Sequence, residues 1–497
     1  MIATAGTLTQ SQSYFPIFAT SLLFSIKLLK HLSSMQQLLK ALELFKTEDL
    51  TYEALGDFIF SYDFSKIDYK SYLPDLPEGN EYSRNIITMD PLEVVLLNWP
   101  AGVESAVHYH NGFWGYAAVI DGIGKDVVYT RNNGTLTEDK ISICNSLGVI
   151  LEPDQTIHKI ANQDENKQLV TLHFYYPPLE SLEDMEIYDL ERGRIGVLSA
   201  EAKSASWVDN DEQFKEIKED AFEFKSFKES NADASHQMIL LKPKPDSRTI
   251  RSMIINYYDE QAKEYDNFDT RHESRNRYTL MINNLVGEDL KKIANVKSLL
   301  QLACGTGRRS LEVKEISGID LDITGVDMSP GMTKIAESHG LHIINADWID
   351  ASLEDDVTFD SAVMLYAFGH LATEAERNAF LLKLNKHLVM NAPFYLDAFN
   401  LEDVYEWGPK VKAAYQRDQL HRSGYQQGDI FYKKVDGTHL SFLHYFTEEE
   451  ITALLERAGF EVVELKYVGY TKLSGEIVKD KSEGFYYIKA NKVRDMV

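Results

Sequence analysis

The chain is poor in cysteine, in positive charge and in long apolar runs, and each shortage excludes a class of protein. Its 497 residues include two cysteines, Cys144 and Cys304, too few for a disulfide framework and typical of a reducing cytoplasm. Acidic residues outnumber lysine and arginine by 77 to 51, and the formal net charge is −26. Because phosphate backbones and anionic membranes attract basic surfaces, neither nucleic acid nor a membrane is expected as a partner. The apolar run at 16–29 is short and contains Lys27, so we predict neither a spanning helix nor a signal peptide there.

Changes in hydrophobic periodicity divide a chain of this length into two or three domains. We expect residues 1–34 to be an N-terminal extension. Helical spacing over 35–60 and short alternating strands up to 207 predict an all-β barrel with N-terminal helices for 35–207. Residues 208–248 are charge-dense and poorly periodic, which favours a linker or peripheral segment. Strands and helices alternate over 249–497, which predicts a doubly wound, Rossmann-like α/β domain.

Three histidines in the first half have the spacing of a metal site. His108 and His110 lie in the pattern Gly-x5-His-x-His-x4-Glu-x6-Gly, except that Gly115 replaces the glutamate. A second pattern is formed by Gly148, Pro153, His158 and Asn162, with Gln155 replacing a glycine. Alternation on a strand places His108 and His110 on one face, where a neighbouring strand can bring His158. Three neutral imidazoles without a carboxylate would leave a divalent iron its full charge and favour anionic, chelating thiolates. Buried core histidines are the alternative.

Residues on both sides of these patterns extend the match from about 35 to 207. Tyr82-Ser83-Arg84-Asn85 precedes the histidines, and the strand LVTLHFYYPP carries Thr171, His173 and Tyr175. Because alternate strand residues share a face, these last three can form one inward hydrogen-bonded row. Together with the two patterns, which match the boxes of cupin barrels, these residues resemble the cysteine dioxygenase family. Gly115 stands where animal members carry the cysteine that crosslinks to the tyrosine, so we expect no crosslink.

The resemblance implies an Fe(II) enzyme that adds O2 to a thiol, with the three histidines as ligands. In that family the arginine matching Arg84 holds the substrate carboxylate, and Tyr82 belongs to the same motif. A planar guanidinium suits a carboxylate because it donates two parallel hydrogen bonds. Tyr175 would donate a hydrogen bond to oxygen or thiolate, and His173 would orient it. The alternatives are a surface ion pair for Arg84 and a barrel-filling ring for Tyr175.

A glycine-rich loop in the second half predicts a ligand site. The segment LLQLACGTGRRS at 299–310 is an apolar strand that runs into a glycine loop and then a helix. Glycines let the backbone approach a ligand, and a helix N-terminus offers free N–H groups. The next strand ends in Asp327, about 20 residues on, where a ribose-hydroxyl binder is expected. A third strand precedes Ala346-Asp347-Trp348.

These motifs resemble class I S-adenosylmethionine-dependent methyltransferases over roughly 249–497. In that family the acid after the second strand binds ribose, and an Ala-Asp pair meets the adenine. The resemblance therefore implies donor binding by Gln301, Ala303, Gly305, Gly307, Asp327, Met328, Asp347 and Trp348. Gln301 departs from the family's usual acid, which weakens a polar contact near the donor's methionine end. NAD is disfavoured because the third glycine is absent, and a Rossmann-like domain without a ligand is the alternative.

The methyl acceptor is the part of the function that the motifs define least. Acceptor groups in such folds lie beyond the carboxyl ends of later strands, which indicates Tyr366, His370, Asp397 and Asn400, with Tyr257, Tyr258 and Tyr265 from a lid-like helix. The sequence predicts a bifunctional cytoplasmic enzyme of sulfur metabolism that uses a small thiol, cysteine first, O2 and a small methyl acceptor. One alternative is an active methyltransferase with a non-catalytic cupin sensor or dimerisation module. Another is a different thiol, such as a mercapto acid.

Overall fold

The computed structural model describes residues 34–76, 81–207, 212–231, 234–267, 273–354 and 356–496. The chain forms two compact units that divide after Ser230. The expected extension at 1–34 lies outside the described residues, apart from Ser34. No helix within the described ranges is both long and apolar enough to cross a membrane.

The first unit is rich in strands and begins with two helices, α1 (Met35–Leu42) and α2 (Tyr52–Ser61). The Thr51 side chain caps α2 by accepting a hydrogen bond from the Ala54 amide. The strands are β1 Ser83–Thr88, β2 Glu93–Trp99, β3 Val107–Tyr109, β4 Trp114–Asp121, β5 Ile123–Asn132, β6 Thr135–Asn145, β7 Val149–Glu152, β8 Ile157–Asn162, β9 Leu169–Tyr176, β10 Glu186–Asp189, β11 Arg194–Leu198, β12 Phe214–Lys218 and β13 Glu223–Lys225; α3 (Phe227–Ser230) follows.

Two antiparallel sheets make up this unit. The first has the order β1-β2-β9-β4-β7, and the second has the order β12-β11-β10-β3-β8-β5-β6, with β13 added in parallel to β6. On the first sheet, side chains such as Val94 and Phe174 pack against the two helices, whereas Val95 and Tyr175 belong to a separate interior cluster. This alternation places the odd-numbered residues of β9 inside, as predicted, and confirms the all-β part of the fold.

The second unit contains the predicted α/β domain. Its strands are β14 His236–Lys242, β15 Ser298–Leu302, β16 Asp322–Asp327, β17 His342–Asn345, β18 Ser361–Met364, β19 Pro393–Ala398, β20 Asp429–Lys434, β21 Leu440–His444, β22 Phe460–Val468, β23 Ile477–Val478 and β24 Phe485–Lys492. Its helices are α4 Ser247–Gln261, α5 Glu273–Leu290, α6 Arg308–Ser317, α7 Pro330–Ser338, α8 Glu374–Lys386, α9 Gly408–Arg417 and α10 Glu448–Arg457.

The strand order of the main sheet explains where a ligand can bind. It runs β17-β16-β15-β18-β19-β24-β22-β23. Strands β15 to β19 are parallel, and β24 is antiparallel to both of its neighbours. Because the order reverses between β15 and β18, the carboxyl ends of these strands leave a crevice, the usual ligand position in such sheets.

The described part of the segment 208–248 contains paired strands, and its assignment as a linker or peripheral segment stays a prediction. Strand β12 pairs with β11, and β13 pairs with β6, so this stretch extends the second sheet of the first unit. Strand β14 pairs with β20 in the second unit. The dense charge is compatible with this pairing, because four of the five β12 residues are exposed and an exposed strand carries charge without losing its backbone pairing.

Candidate functional sites

The three predicted histidines lie together in the interior of the first unit. Strand β3 places His108 directly opposite His158 of β8, and His110 follows the end of β3. The Nε2 atom of His110 is 3.3 Å from that of His108 and 3.1 Å from that of His158. All three side chains are buried.

Hydrogen bonds at the Nδ1 atoms of His108 and His158 determine whether the Nε2 atoms of these rings can act as acceptors. His108 Nδ1 lies 3.0 Å from the Ala106 carbonyl oxygen, and His158 Nδ1 lies 2.8 Å from Asp126 Oδ1. Both partners are acceptors, so Nδ1 donates and Nε2 is left as a bare acceptor. Burial lowers the pKa of His108 to about 3, which keeps its ring neutral. Acceptor lone pairs that converge in this way fit a divalent cation such as Fe(II), which the three Nε2 atoms would hold.

A directed chain of hydrogen bonds runs along β9 beside the histidines. Trp99 Nε1 donates to Thr171 Oγ1 at 2.8 Å, and Thr171 Oγ1 is 2.8 Å from His173 Nε2. The acceptor Oε1 of Glu152 lies 3.2 Å from His173 Nδ1, which favours a proton on Nδ1; the threonine hydroxyl then donates to Nε2, and Nδ1–H faces the Tyr175 hydroxyl at 2.7 Å. Burial raises the pKa of Tyr175 well above its usual value. The tyrosine therefore keeps a proton that it can donate.

The two residues of the upstream motif have different surroundings. Arg84 Nη2 is 3.2 Å from Oε1 of Glu93, whose other oxygen accepts the Leu179 amide at 3.0 Å. The remaining N–H groups of a guanidinium are still available to a ligand. The Tyr82 ring packs on Trp99 with centroids 4.1 Å apart, and its hydroxyl accepts the Ala205 amide at 3.0 Å. Tyr82 thus ties the buried segment around Ala205 to the barrel wall.

A carboxylate that the sequence interpretation missed lies beside the histidines. Glu152, the last residue of β7, is fully buried, and its Oε2 is 3.9 Å from His110 Nε2. Its Oε1 is 3.2 Å from His173 Nδ1. The three-histidine set without a carboxylate ligand stays a prediction, and this buried carboxylate lies beside it. The only sequence signal was an acid at the end of an apolar strand, next to Pro153 of the second pattern.

In the second unit, a cleft of about 970 Å³, part of it open to solvent, lies at the carboxyl ends of the parallel strands. Asp327 is held there by the backbone, since its two oxygens accept the Gly305 amide at 2.9 Å and the Ser329 amide at 2.8 Å. Ala303 has φ 48°, a left-handed conformation that glycine adopts more easily. Gly307 begins α6 and packs towards Ala336, behind the lining of the cleft.

Two further predicted residues form the wall of this cleft, together with Met328. Asp347 accepts the Ile349 amide at 2.8 Å and pairs with Arg251 Nε at 2.8 Å. Trp348 is buried, and its indole N–H donates to the Phe380 carbonyl at 3.2 Å. Trp348 therefore contributes its apolar ring to the wall of the cleft, since its polar atom is used inside the fold.

A smaller adjoining cavity of about 520 Å³ contains two unsatisfied polar atoms. The Oε1 of Gln301 and the Nη2 of Arg309 are buried and have no hydrogen-bond partner among the described residues. Arg309 Nη2 also lies 3.9 Å from Asp397 Oδ2. An acceptor and a guanidinium donor suit the ammonium and the carboxylate of an amino acid, respectively. These atoms fit the methionine end of S-adenosylmethionine. Arg309 was not predicted from the sequence, because it directly follows an equally charged neighbour, Arg308.

Comparisons with known families match both halves of the chain. The family described as Cysteine dioxygenase type I matches residues 25–188, and the family described as Methyltransferase domain matches residues 299–391. The chain joins a cysteine dioxygenase-type cupin domain to a methyltransferase domain. Both matched families are enzyme families, and the chain is an enzyme.

Solved structures similar to this chain are methyltransferases. One is an S-adenosylmethionine-dependent methyltransferase from Methanosarcina mazei, 21% identical, which covers 40% of this chain and 94% of its own, with a TM-score of 0.33. Another is from Clostridium acetobutylicum, 15% identical over 48% of this chain and 99% of its own, with a TM-score of 0.34. At these sequence identities and TM-scores, the similarity carries no information about the substrate.

The acceptor candidates of the methyltransferase domain separate into two groups. Four of them line the cleft: Tyr258, Tyr265, Tyr366 and His370. The others are engaged elsewhere, which corrects the prediction. Asp397 is buried and accepts from the Tyr278 hydroxyl at 3.1 Å, the Asn400 amide donates to the Gly484 carbonyl at 2.9 Å, and the Tyr257 hydroxyl is 2.9 Å from His236 Nε2.

Within the first group, Tyr258 and His370 form a pair. The Tyr258 hydroxyl is 2.8 Å from His370 Nε2, and His370 Nδ1 is 2.6 Å from the Phe442 carbonyl. The carbonyl fixes the proton on Nδ1, so Nε2 accepts from the tyrosine. Burial lowers the pKa of His370 to about 4, which makes this ring a neutral acceptor facing the cleft.

Proposed function

We propose that the dioxygenase-type domain is an Fe(II)-dependent thiol dioxygenase. The single observation that carries this proposal is the cluster of three buried Nε2 atoms, in which that of His110 lies 3.3 Å from that of His108 and 3.1 Å from that of His158; hydrogen bonds at Nδ1 fix the rings of His108 and His158. The metal would activate O2 and the thiolate, and both oxygen atoms would add to sulfur, so that R–SH and O2 give R–SO2H. Tyr175, oriented by His173, would donate a hydrogen bond to the reacting groups.

The substrate class that we propose is a small thiol with a carboxylate, and cysteine is the first to test. Arg84 supports this class because a guanidinium pairs with a carboxylate through two charge-assisted hydrogen bonds. Glu93 would hold Arg84 in place through the nitrogen that faces it. Tyr82 would support the same wall through its ring contact with Trp99.

We further propose that the methyltransferase domain moves a methyl group from S-adenosylmethionine to a small molecule. Asp327 would bind the ribose, Asp347 and the ring of Trp348 would meet the adenine, and Gln301 would hold the methionine end together with Ala303, Gly305, Gly307 and Met328. The chemistry needs an acceptor atom in line with the sulfonium methyl group more than it needs acids or bases. Two free, buried cysteines support a reducing compartment, and we propose the cytoplasm.

Metal analysis and oxygen uptake test the dioxygenase half. The wild type is expected to hold one iron per chain and to consume O2 with cysteine, and mass spectrometry is expected to find a product 32 Da heavier. His158→Ala should lose both properties. Tightly held iron without uptake on a panel of thiols that includes mercapto acids would instead favour a non-catalytic sensor or dimerisation module beside an active methyltransferase.

A further inference from the structure

We propose that Glu152 is a positioning residue of the dioxygenase half, which sets the proton of His173 and thereby directs the Tyr175 hydroxyl at the reacting thiol. The inference rests on the proposed thiol dioxygenase function, but it concerns a residue outside both sequence patterns. It follows from strand register, from a short contact between a charge and a ring nitrogen, and from burial.

Strand register brings Glu152 to the inner face on which His173 and Tyr175 lie. Across the first sheet, Glu152 of β7 pairs with Gly115 of β4, and β4 in turn pairs Gly115 with Tyr175 and Ala117 with His173 of β9. Residues opposite one another in a sheet project from the same face. Because both β4 residues are small, the glutamate can reach across β4 to the two β9 side chains.

The contact between Glu152 and His173 is close enough for the carboxylate charge to select a tautomer of the ring. Glu152 Oε1 lies 3.2 Å from His173 Nδ1, and the same Nδ1 lies 2.7 Å from the Tyr175 hydroxyl. Neither carboxylate oxygen has a partner in hydrogen-bonding geometry among the described residues, so the carboxylate acts on the ring through its charge. A negative charge at this distance favours the neutral imidazole that carries its proton on Nδ1.

The contacts on the other side of the His173 ring leave the tautomer open, so Glu152 decides it. Thr171 Oγ1 lies 2.8 Å from His173 Nε2, and Trp99 Nε1 donates to the same hydroxyl at 2.8 Å. A hydroxyl has one proton and two acceptor sites, so after accepting from the indole it can still face either a bare or a protonated Nε2.

The tautomer of His173 determines where Tyr175 directs its proton. With the proton on Nδ1, the ring donates to the tyrosine oxygen, and the tyrosine O–H can point at the thiol or at oxygen. With the proton on Nε2, the bare Nδ1 would accept the tyrosine proton and withdraw it from the site. Glu152 is 0% exposed, so its charge is little screened. Burial and then the charge of Glu152 raise the pKa of Tyr175, which keeps that proton on the tyrosine.

Nitrogen NMR of the metal-free full chain, labelled with isotope-enriched histidine, measures the tautomer directly. A protonated and a bare ring nitrogen give well separated signals, which couplings to the ring carbon protons assign to Nδ1 or Nε2. The signals of His173 are those that disappear in His173→Gln. The wild type is expected to carry the proton on Nδ1. Glu152→Gln keeps the size of the side chain and removes its charge, so it is expected to move the proton to Nε2.

Glu93→Gln is the matched control for the tautomer. Glu93 is an equally buried carboxylate, opposite Tyr175 on β2, but its charge is paired with Arg84 Nη2 at 3.2 Å. This variant should leave the proton of His173 on Nδ1.

Oxygen uptake with cysteine tests whether Glu152 acts through Tyr175. Glu152→Gln should lower kcat by about 10- to 100-fold, keep KM within about threefold and leave the iron content unchanged. Tyr175→Phe and the double variant Tyr175→Phe/Glu152→Gln should have the same kcat, because two residues that act through one hydroxyl group are not additive.

The outcomes separate this inference from the proposed function. An unchanged tautomer in folded Glu152→Gln, or a further loss of kcat on adding Glu152→Gln to Tyr175→Phe, would overturn the role of Glu152. If Glu152→Gln does not fold, the wild type decides the question, because a proton on Nε2 in the wild type would also overturn it. A wild type that takes up no oxygen with any thiol would refute the proposed function, and the tautomer would still show whether Glu152 sets the proton of His173.

Discussion

At the residue scale, the charge balance around Arg84 decides how a substrate carboxylate would be received. The Arg84 side chain is 17% exposed, and the Glu93 carboxylate paired with it is 0% exposed. Burial raises the pKa of Glu93, and Arg84 opposes that rise. Replacing Arg84 alone would leave the buried Glu93 carboxylate without its partner, which would lower the free energy of unfolding by about 3–5 kcal/mol. Activity lost in a single variant would therefore not distinguish substrate binding from structural damage.

The double variant Arg84→Gln/Glu93→Gln removes both charges and keeps hydrogen-bonding groups in place. If Arg84 holds the substrate carboxylate, kcat/KM for cysteine should fall by about 10- to 100-fold, because a charge-assisted pair contributes about 1.5–3 kcal/mol. Oxygen uptake with cysteamine, which has no carboxylate, should change little, and iron content should stay constant. Glu93→Gln alone should lose less cysteine activity than the double variant. Normal use of cysteine by the double variant would show that Arg84 is not the anchor.

At the scale of elements, the close approach of β4 and β9 explains why residue 115 is glycine. Gly115 lies opposite Tyr175, and its missing side chain makes room for the Phe174 carbonyl and the tyrosine ring. The same closeness separates this chain from relatives with a cysteine–tyrosine crosslink, because a cysteine here could not turn its sulfur towards the ring without moving β9. Gly124 on β5 offers a contrast, since the nearest atom to a Cβ there would be 3.5 Å away.

We expect Gly115→Ala to destabilise the first unit by about 1–3 kcal/mol through overpacking, whereas Gly124→Ala should change its stability by about 0.5 kcal/mol or less. Chemical denaturation of the two variants measures the difference. Gly115→Cys should form no thioether, so peptide mass spectrometry should find Tyr175 unmodified. A crosslinked Gly115→Cys protein of normal stability would contradict the packing argument.

At the scale of the whole molecule, the sequence was sufficient for the two families and their order. The histidine boxes and the glycine loop are local patterns, so the cupin and methyltransferase domains could be identified from them. Glu152 and Asp126 could not be identified in this way. Each lies beside a histidine that is far away in the sequence, and the folded strands bring the two together. Asp397 lies near the end of β19 and Asn400 follows it, and internal hydrogen bonds hold both side chains.

The division into two compact units leads to a prediction for the full-length enzyme. A ligand that binds only the folded form stabilises the unit that holds it, by about 2.7 kcal/mol at a concentration of 100 times Kd. Calorimetry should therefore resolve two unfolding transitions. Fe(II), added without oxygen, should raise the midpoint temperature of one, and S-adenosylhomocysteine should raise that of the other. His108→Ala and His110→Ala should abolish the first shift and leave the second intact, because both histidines lie in the dioxygenase-type domain. A single transition whose midpoint temperature rises with either ligand would mean that the two domains do not unfold as independent units. Loss of the shift caused by S-adenosylhomocysteine in the folded histidine variants would mean the same.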